Sequence, residues 1–235
     1  MSGQARVLVV GAGGLSSPVL RLLAQSDVAH ISVVDDDLVD ESNLHRQTLY
    51  TDADVGRSKI ERAKACLETL SPRLSVSVVE GRFVPERAPA LLEGHDLVVE
   101  GADNLATKFL VADAARLAGV PAVQAGAVRW AGWTFCALPD SACLRCLFED
   151  IPRDRVETCA EAGVVGPLVG VLGGLEAALV LRVLRGEHPA GELWHYDALK
   201  GALRRTFVRR RSDCPLCTGK IQDLRTERYT AACAA

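Results

Sequence analysis

The chain opens with an unbroken apolar run, Val7 to Val10, as a parallel strand buried on both faces requires. Gly11, Gly13 and Gly14 follow and predict a tight turn. Leu15 to Ala24 then spaces its apolar residues at helical intervals, and Ile31 to Asp35 is a second apolar run that ends in an acid. The alternation continues. Val55 to Leu70 reads as a helix stopped by Pro72, Leu74 to Val79 as a strand and Pro85 to Leu92 as a short helix. Asp96 to Glu100 reads as a strand, Ala106 to Leu117 as a helix and Pro121 to Ala125 as a strand. Such alternation predicts an α/β fold, a doubly wound, Rossmann-like, mainly parallel sheet. From Ala127 the pattern changes. Thr134 to Leu138, Leu193 to Tyr196 and Leu203 to Val208 read as antiparallel strands that continue the sheet, with a polar loop at Glu149 to Gly163 and a buried helix at Val165 to Leu184. The expected organisation is one domain over residues 1–225 and a flexible tail over 226–235.

A strand, a glycine turn and a helix start aim backbone N–H groups at one point, and such a point binds phosphate. An acid at the end of the next strand, here Asp35, can accept hydrogen bonds from ribose hydroxyls. Asp35, the glycine turn and Asp103 all fall at strand carboxyl ends, so one crevice is expected to hold them. Arg46, Lys59 and Asp103 supply two cations and a carboxylate, a set that suits a nucleoside triphosphate with Mg²⁺. Arg57 and Lys59 are expected in the first turn of a helix, where cations oppose the helix dipole and so serve a ligand anion. The plainer readings are surface ion pairing for Arg46 and Lys59 and a helix cap for Asp103-Asn104. His45, in a polar loop, is given no role.

Composition narrows the picture. The 235 residues are 49% hydrophobic but only 5% aromatic, which suits a Val-, Leu- and Ala-rich sheet under helices. A net charge of −3 argues against general binding to nucleic acid or anionic membranes. The basic run Arg204 to Arg211 reads as a solvated strand face. No uncharged apolar stretch reaches transmembrane quality; the nearest, Ala162 to Val180, carries Glu176 and reads as a buried helix. With only Met1 to Ala5 before the first strand, no signal peptide is expected, and the expected compartment is the cytoplasm. The 8 cysteines agree with that. Four of them form Cys143-x-x-Cys146 and Cys214-x-x-Cys217, a set that in a reducing compartment predicts a closed structural Zn²⁺ site. Cys159 precedes a predicted helix and is read equally as a nucleophile of lowered pKa or as a small buried residue.

Taken together, these features resemble the MoeB/ThiF/HesA family, bacterial relatives of ubiquitin-activating enzymes. The resemblance runs from Arg6 to about Thr218 and is carried by Gly11-Ala12-Gly13-Gly14-Leu15, Asp35-x-Asp37, Asn43-Leu44-x-Arg46-Gln47, Gly56-x-x-Lys59, Asp103-Asn104, Gly126-Ala127-x-Arg129, the two cysteine pairs and Thr158-Cys159-x-Glu161-Ala162-Gly163. It implies ATP-dependent adenylation of the C-terminal Gly-Gly carboxylate of a small ubiquitin-like sulfur carrier, with release of pyrophosphate and preparation for thiocarboxylate formation. It also implies that Asp35 holds ribose, that Asn43, Arg46, Gln47 and Lys59 contact nucleotide and phosphates, that Asp37 and Asn104 belong to the same nucleotide site, and that Asp103 holds Mg²⁺. A homodimer and a sulfurtransferase that supplies sulfur are further implied. Cys159 matches a cysteine that some members use as a nucleophile. Two departures stand out. Ser16 occupies a position where the family has Gly, and an arginine-bearing helix expected before the first strand has no counterpart ahead of Arg6.

The implied chemistry needs no general base, because the attacking carboxylate is already anionic; positioning and charge neutralisation suffice. Three other readings compete: a peptide or small-acid substrate for the same chemistry, a catalytically degenerate carrier-binding partner, and a nicotinamide-dependent oxidoreductase. The last leaves Arg46, Lys59, Asp103 and the paired cysteines unexplained.

Overall fold

The computed structural model describes residues 4–152 and 162–229. Eight strands form one sheet in the order β3-β2-β1-β4-β5-β6-β7-β8. The first five, β1 (Arg6–Val10), β2 (His30–Asp35), β3 (Ser75–Glu80), β4 (Leu97–Glu100) and β5 (Ala122–Val128), are parallel. The remainder, β6 (Ala131–Ala137), β7 (Glu192–Asp197) and β8 (Ala202–Phe207), run antiparallel to their neighbours. The expected doubly wound sheet with an antiparallel continuation is what forms.

The period of two along β1 explains the layering. Val7 and Val9 face one core, shared with α1 (Ser16–Ala24), α2 (Lys59–Leu70) and α6 (Gly166–Leu184). Leu8 and Val10 face the other, shared with α3 (Ala88–Leu92), α4 (Leu105–Ala118) and α5 (Leu144–Phe148). All four are essentially inaccessible, which is why this strand reads as continuous hydrophobicity. Each such buried side chain contributes about 1.5–3 kcal/mol. Helix α6 is long and apolar enough to cross a membrane, but half of it is buried here, against α1, β5 and β6.

Three local expectations need correction. Helix α2 starts at Lys59, not Val55, because residues 56–58 pair with the segment after β2: Gly56 N donates to Val39 O at 2.9 Å and Val39 N to Arg57 O at 2.8 Å. Gly56 sits at φ +80, a conformation that side chains rarely adopt, so Arg57 lies in an extended segment and outside any helix dipole. Strand β5 runs on to Val128, because Gly126 to Val128 pair with Trp133 to Ala131 in a tight hairpin. The first cysteine pair lies on α5, a short helix that the sequence pattern did not reveal. At the other end, Thr226–Arg228 forms a 3₁₀ turn and the Tyr229 hydroxyl donates to Asp113 Oδ2 at 2.9 Å, so the chain is held as far as Tyr229.

Candidate functional site

The sheet order reverses between β2-β1 and β4-β5, and ligands on such sheets bind beyond the strand carboxyl ends at that reversal. There the chain after Val10 turns sharply, with Gly11 at φ +88. A Cβ on Gly11 would lie 3.2 Å from Ala102 N, so the loop after β4 crosses directly over the turn. Ser17 N donates to Gly13 O at 2.9 Å. The N–H groups of Gly13, Gly14, Leu15 and Ser16 therefore have no carbonyl within the helix to bond, and they form a ready anion cradle. Ser16 is fully buried, and its hydroxyl lies against Gly101, which has no Cβ to obstruct it. A small side chain is thus accommodated at this position.

Asp35 ends β2 beside the turn. Its Oδ2 accepts from Ala12 N at 2.7 Å and its Oδ1 from Asp37 N at 2.8 Å. Lys59 is 4% exposed, and its Nζ lies 2.7 Å from Asp37 Oδ2, an ion pair buried at the lysine and open to solvent at the aspartate rather than a surface pair. The loop at 41–50 closes the same crevice from above. Asp40 caps the 3₁₀ turn Glu41–Asn43 through Ser42 N, and its bonds from the Ser42 hydroxyl and N–H hold its carboxyl below the usual range. That turn brings Arg46 across Gly14, whose Cβ would sit 3.4 Å from Arg46 Cγ. Gln47 Nε2 would be 3.9 Å from a Cβ on Gly13. Asn43 Oδ1 accepts from the Arg46 guanidinium, which orients it. Of the residues expected at the crevice, Gly11, Gly13, Gly14, Asp35, Asp37, Asn43, Arg46, Gln47 and Lys59 are therefore assembled on one patch of backbone.

Asp103 and Asn104 lie on the exposed loop after β4. Asn104 caps α4, its side chain accepting from Thr107 N at 2.8 Å, so the cap reading is observed for it. Asp103 follows Ala102, whose N would lie 3.2 Å from a Cβ on Gly11, so its backbone runs beside the glycine turn. His45 is exposed, with Nδ1 2.9 Å from Ser42 O. Cys159 lies outside the described residues.

Sequence reasoning missed Tyr50. Its hydroxyl donates to Ala12 O at 2.8 Å and so clamps the far side of the glycine turn, while burial, and then the Asp35 charge, push its phenol well up. A lone tyrosine at the end of a polar loop carries no periodic signal. It also missed Glu100 and Lys108, a buried pair beneath the Asp103 loop, which looked like the end of a strand and the polar face of a helix.

The four cysteines form a second cluster on the other half of the molecule. Cys143 Sγ lies 3.9 Å from Cys146 Sγ, 3.6 Å from Cys214 Sγ and 3.5 Å from Cys217 Sγ, and Cys146 Sγ lies 3.6 Å from Cys217 Sγ. Four thiolates about 2.3 Å from a tetrahedral zinc sit about 3.8 Å apart, so the spacing fits that ion. Arg211 N–H points at Cys146 Sγ from 3.4 Å. Behind the cluster, buried Arg145 reaches Asp113 at 2.8 Å and Asp150 at 2.7 Å, which ties α5 to α4. The 71 positions between Cys143 and Cys214 make this a clip between distant parts of the chain.

The comparisons with known proteins place the chain in a family. The model of the ThiF family matches residues 3–216. The chain is 38% identical over 233 residues to the SAMP-activating enzyme E1 of Haloferax volcanii, covering 97% of this chain and 86% of that one. It is 41% identical over 239 residues to the sulfur carrier protein adenylyltransferase of Thermus thermophilus, covering 98% and 88%. Among solved structures, MccB of E. coli superposes with a TM-score of 0.81 at 21% identity, over 92% of this chain and 67% of that one, a likeness of fold. The chain belongs to the ThiF family.

Proposed function

We propose that this chain transfers the adenylyl group of ATP to the C-terminal carboxylate of a small ubiquitin-like sulfur carrier ending in Gly-Gly. A carboxylate oxygen attacks the α-phosphorus, the bond to the bridging oxygen breaks, and pyrophosphate leaves. The reading is supported by the convergence of a bare helix start, the Asp35 carboxylate and the Arg46 side chain on one strand-end crevice, with exposed Asp103 next to Ala102, whose N would lie 3.2 Å from a Cβ on Gly11. The names of the relatives as a sulfur carrier adenylyltransferase and a SAMP-activating enzyme favour a protein carboxylate over a small acid.

Each residue has a physical task in this scheme. The N–H groups of Gly13 to Ser16 bind phosphate oxygens. Asp35, already held by Ala12 N–H, accepts from ribose hydroxyls, and Asp37 does so beside it. Arg46 and Lys59 offset charge on the triphosphate as the transition state forms, with Lys59 exchanging its bond to Asp37 for a phosphate oxygen. Asn43 fixes the loop that carries Arg46 and Asn104 fixes the start of α4, while Gln47, whose buried Oε1 has no partner among the described residues, is left to contact the nucleotide. Asp103 would hold Mg²⁺, which neutralises phosphate charge when bound. Cys143, Cys146, Cys214 and Cys217 would hold Zn²⁺, which clips the chain together. A homodimer is part of the proposal, as is a separate sulfurtransferase that acts on the adenylate; Cys159 is the side chain to test for a covalent role there.

The test is ATP–pyrophosphate exchange with a purified Gly-Gly-ending carrier. Exchange is expected with the intact carrier and Mg²⁺, and none with a carrier lacking its last two glycines. Exchange that proceeds equally well with the truncated carrier, or only with a small carboxylic acid, overturns the substrate assignment.

A further inference from the structure

Asp103 is exposed, so its place must be set by the backbone on either side. Downstream, Asn104 fixes the start of α4. Upstream, Gly101 N donates to Val10 O at 3.0 Å and Ala102 N to Glu100 Oε1 at 2.7 Å. Glu100, the last residue of β4, is fully buried. Lys108 Nζ reaches its two oxygens at 3.2 and 3.0 Å, and Gln124 Nε2 reaches Oε2 at 3.4 Å. Lys108 is itself 4% exposed, and its remaining donor capacity goes to Ala125 O. Gln124 also donates to Lys108 O at 2.9 Å. One carboxylate thus joins the Asp103 loop to α4 and β5.

Stability does not account for such a pair. A buried ion pair can be replaced by well-packed apolar residues at little loss or even some gain. An apolar pair, however, could not aim a carboxylate oxygen at Ala102 N–H. The other acid near the pair is Glu176 on α6, fully buried, whose carboxyl burial pushes well above its ordinary range. Neither Glu176 oxygen has a hydrogen-bond partner among the described residues, and the three Lys108 donors go to Glu100 and Ala125 O. Burial pushes the Glu100 carboxyl up, and Lys108, Ala102 and Gln124 pull it back.

We infer that Glu100 and Lys108 are positioning residues: together they clamp Ala102 N–H and so set the loop that presents Asp103 to the nucleotide. The inference rests on the adenylation reading for what the loop does, but the clamp can be measured by itself. In Lys108→Met, the Ala102 amide is expected to exchange its hydrogen at least tenfold faster than in the wild type. In the same variant, pyrophosphate exchange should fall on the order of 100-fold, as expected for a misplacement of about 1 Å, and should need more Mg²⁺ for half-maximal rate. Lys108→Arg, which can pair with Glu100 through a bidentate fork, should restore the Mg²⁺ dependence. If Lys108→Met does not fold, Glu100→Leu/Lys108→Met is the substitute, an apolar pair that leaves Ala102 N–H without a side-chain acceptor. It should lose Ala102 protection and need more Mg²⁺, as Lys108→Met does. Unchanged Ala102 protection with wild-type Mg²⁺ dependence in folded Lys108→Met overturns the inference. So does a double variant that melts like the wild type and keeps both. If the wild type shows no exchange with any carrier while Ala102 protection still depends on Lys108, the clamp stands and the adenylation reading alone falls.

Discussion

The two clusters that carry chemistry sit in opposite kinds of surroundings. At the cysteine cluster every candidate ligand is a buried side chain, the spacing already matches one ion, and the supporting guanidinium of Arg145 is 1% exposed. At the crevice of β1 and β4 the work is shared between backbone N–H groups and side chains that hold one another: Lys59 on Asp37, Arg46 on Asn43, Asp35 on Ala12 N–H. The first arrangement is closed and suits a permanent occupant. The second keeps its charges paired until a ligand takes one of the partners, which suits a substrate that must leave. The contrast predicts that damage to the first is read in stability and damage to the second in rate.

The largest effect is therefore expected at the cysteines. Metal analysis should find about one zinc per chain, and Cys146→Ser or Cys217→Ser should give unstable, poorly soluble protein. Zinc binding at small structural sites contributes about 10–16 kcal/mol, more than the whole stability of an ordinary domain. Wild-type protein that is free of metal and melts normally would remove the contrast altogether.

Asp103→Ala should do the reverse. The carboxylate is exposed and the cap on α4 belongs to Asn104, so the melting temperature should hardly move. Pyrophosphate exchange should fall on the order of 100-fold, as loss of about 3 kcal/mol of transition-state stabilisation implies. Activity within a few-fold of wild type would place the cation elsewhere. Lys59→Met should cost less rate, about tenfold to 100-fold, and should be read mainly in the KM for ATP if the lysine acts in the ground state as well as in the transition state.

How far this was legible in the sequence follows the same division. Period and turn residues were enough for the parallel strands and the glycine turn, because Val7 to Val10 must be buried on both faces and Gly11 must take a positive φ. The cysteine set was legible because thiolate pairs with two intervening residues have few other uses. The start of α2 was not legible: nothing local announces that residues 56–58 will pair with Val39 in preference to continuing a helix. Nor was the support beneath the site. Tyr50 bonds a partner 38 positions away, Glu100 one 24 away and Lys108 one 17 away, and a side chain that bonds across the fold leaves no period behind it.

The smallest effect is expected at a third place, the amino ends of the same strands, and it separates stability from rate by pH. His30 Nδ1 lies 3.0 Å from Ser75 Oγ, its Nε2 lies 3.0 Å from Ser32 Oγ, and His95 Nε2 lies 2.8 Å from the same Ser32 oxygen. One hydroxyl can donate to one imidazole and accept from the other only while at least one ring is neutral; two imidazolium rings would leave the Ser32 proton without an acceptor. Burial, and then the neighbouring Arg6 cation, lower both histidines below 6.5; Asp96, next to His95 in the chain, accepts from the Arg6 backbone N–H at 2.8 Å. Because the folded pKa values lie below the unfolded one, the unfolded chain binds the protons first. The stabilisation is complete above about pH 6.5 and declines as the pH falls below it towards the folded values. The melting temperature should therefore drop between pH 7.5 and pH 5.5. His95→Gln should flatten that slope while leaving ATP affinity unchanged at either pH, since the pair lies at the opposite end of the strands from the glycine turn. An identical slope in the variant would mean that other groups carry the acid limb.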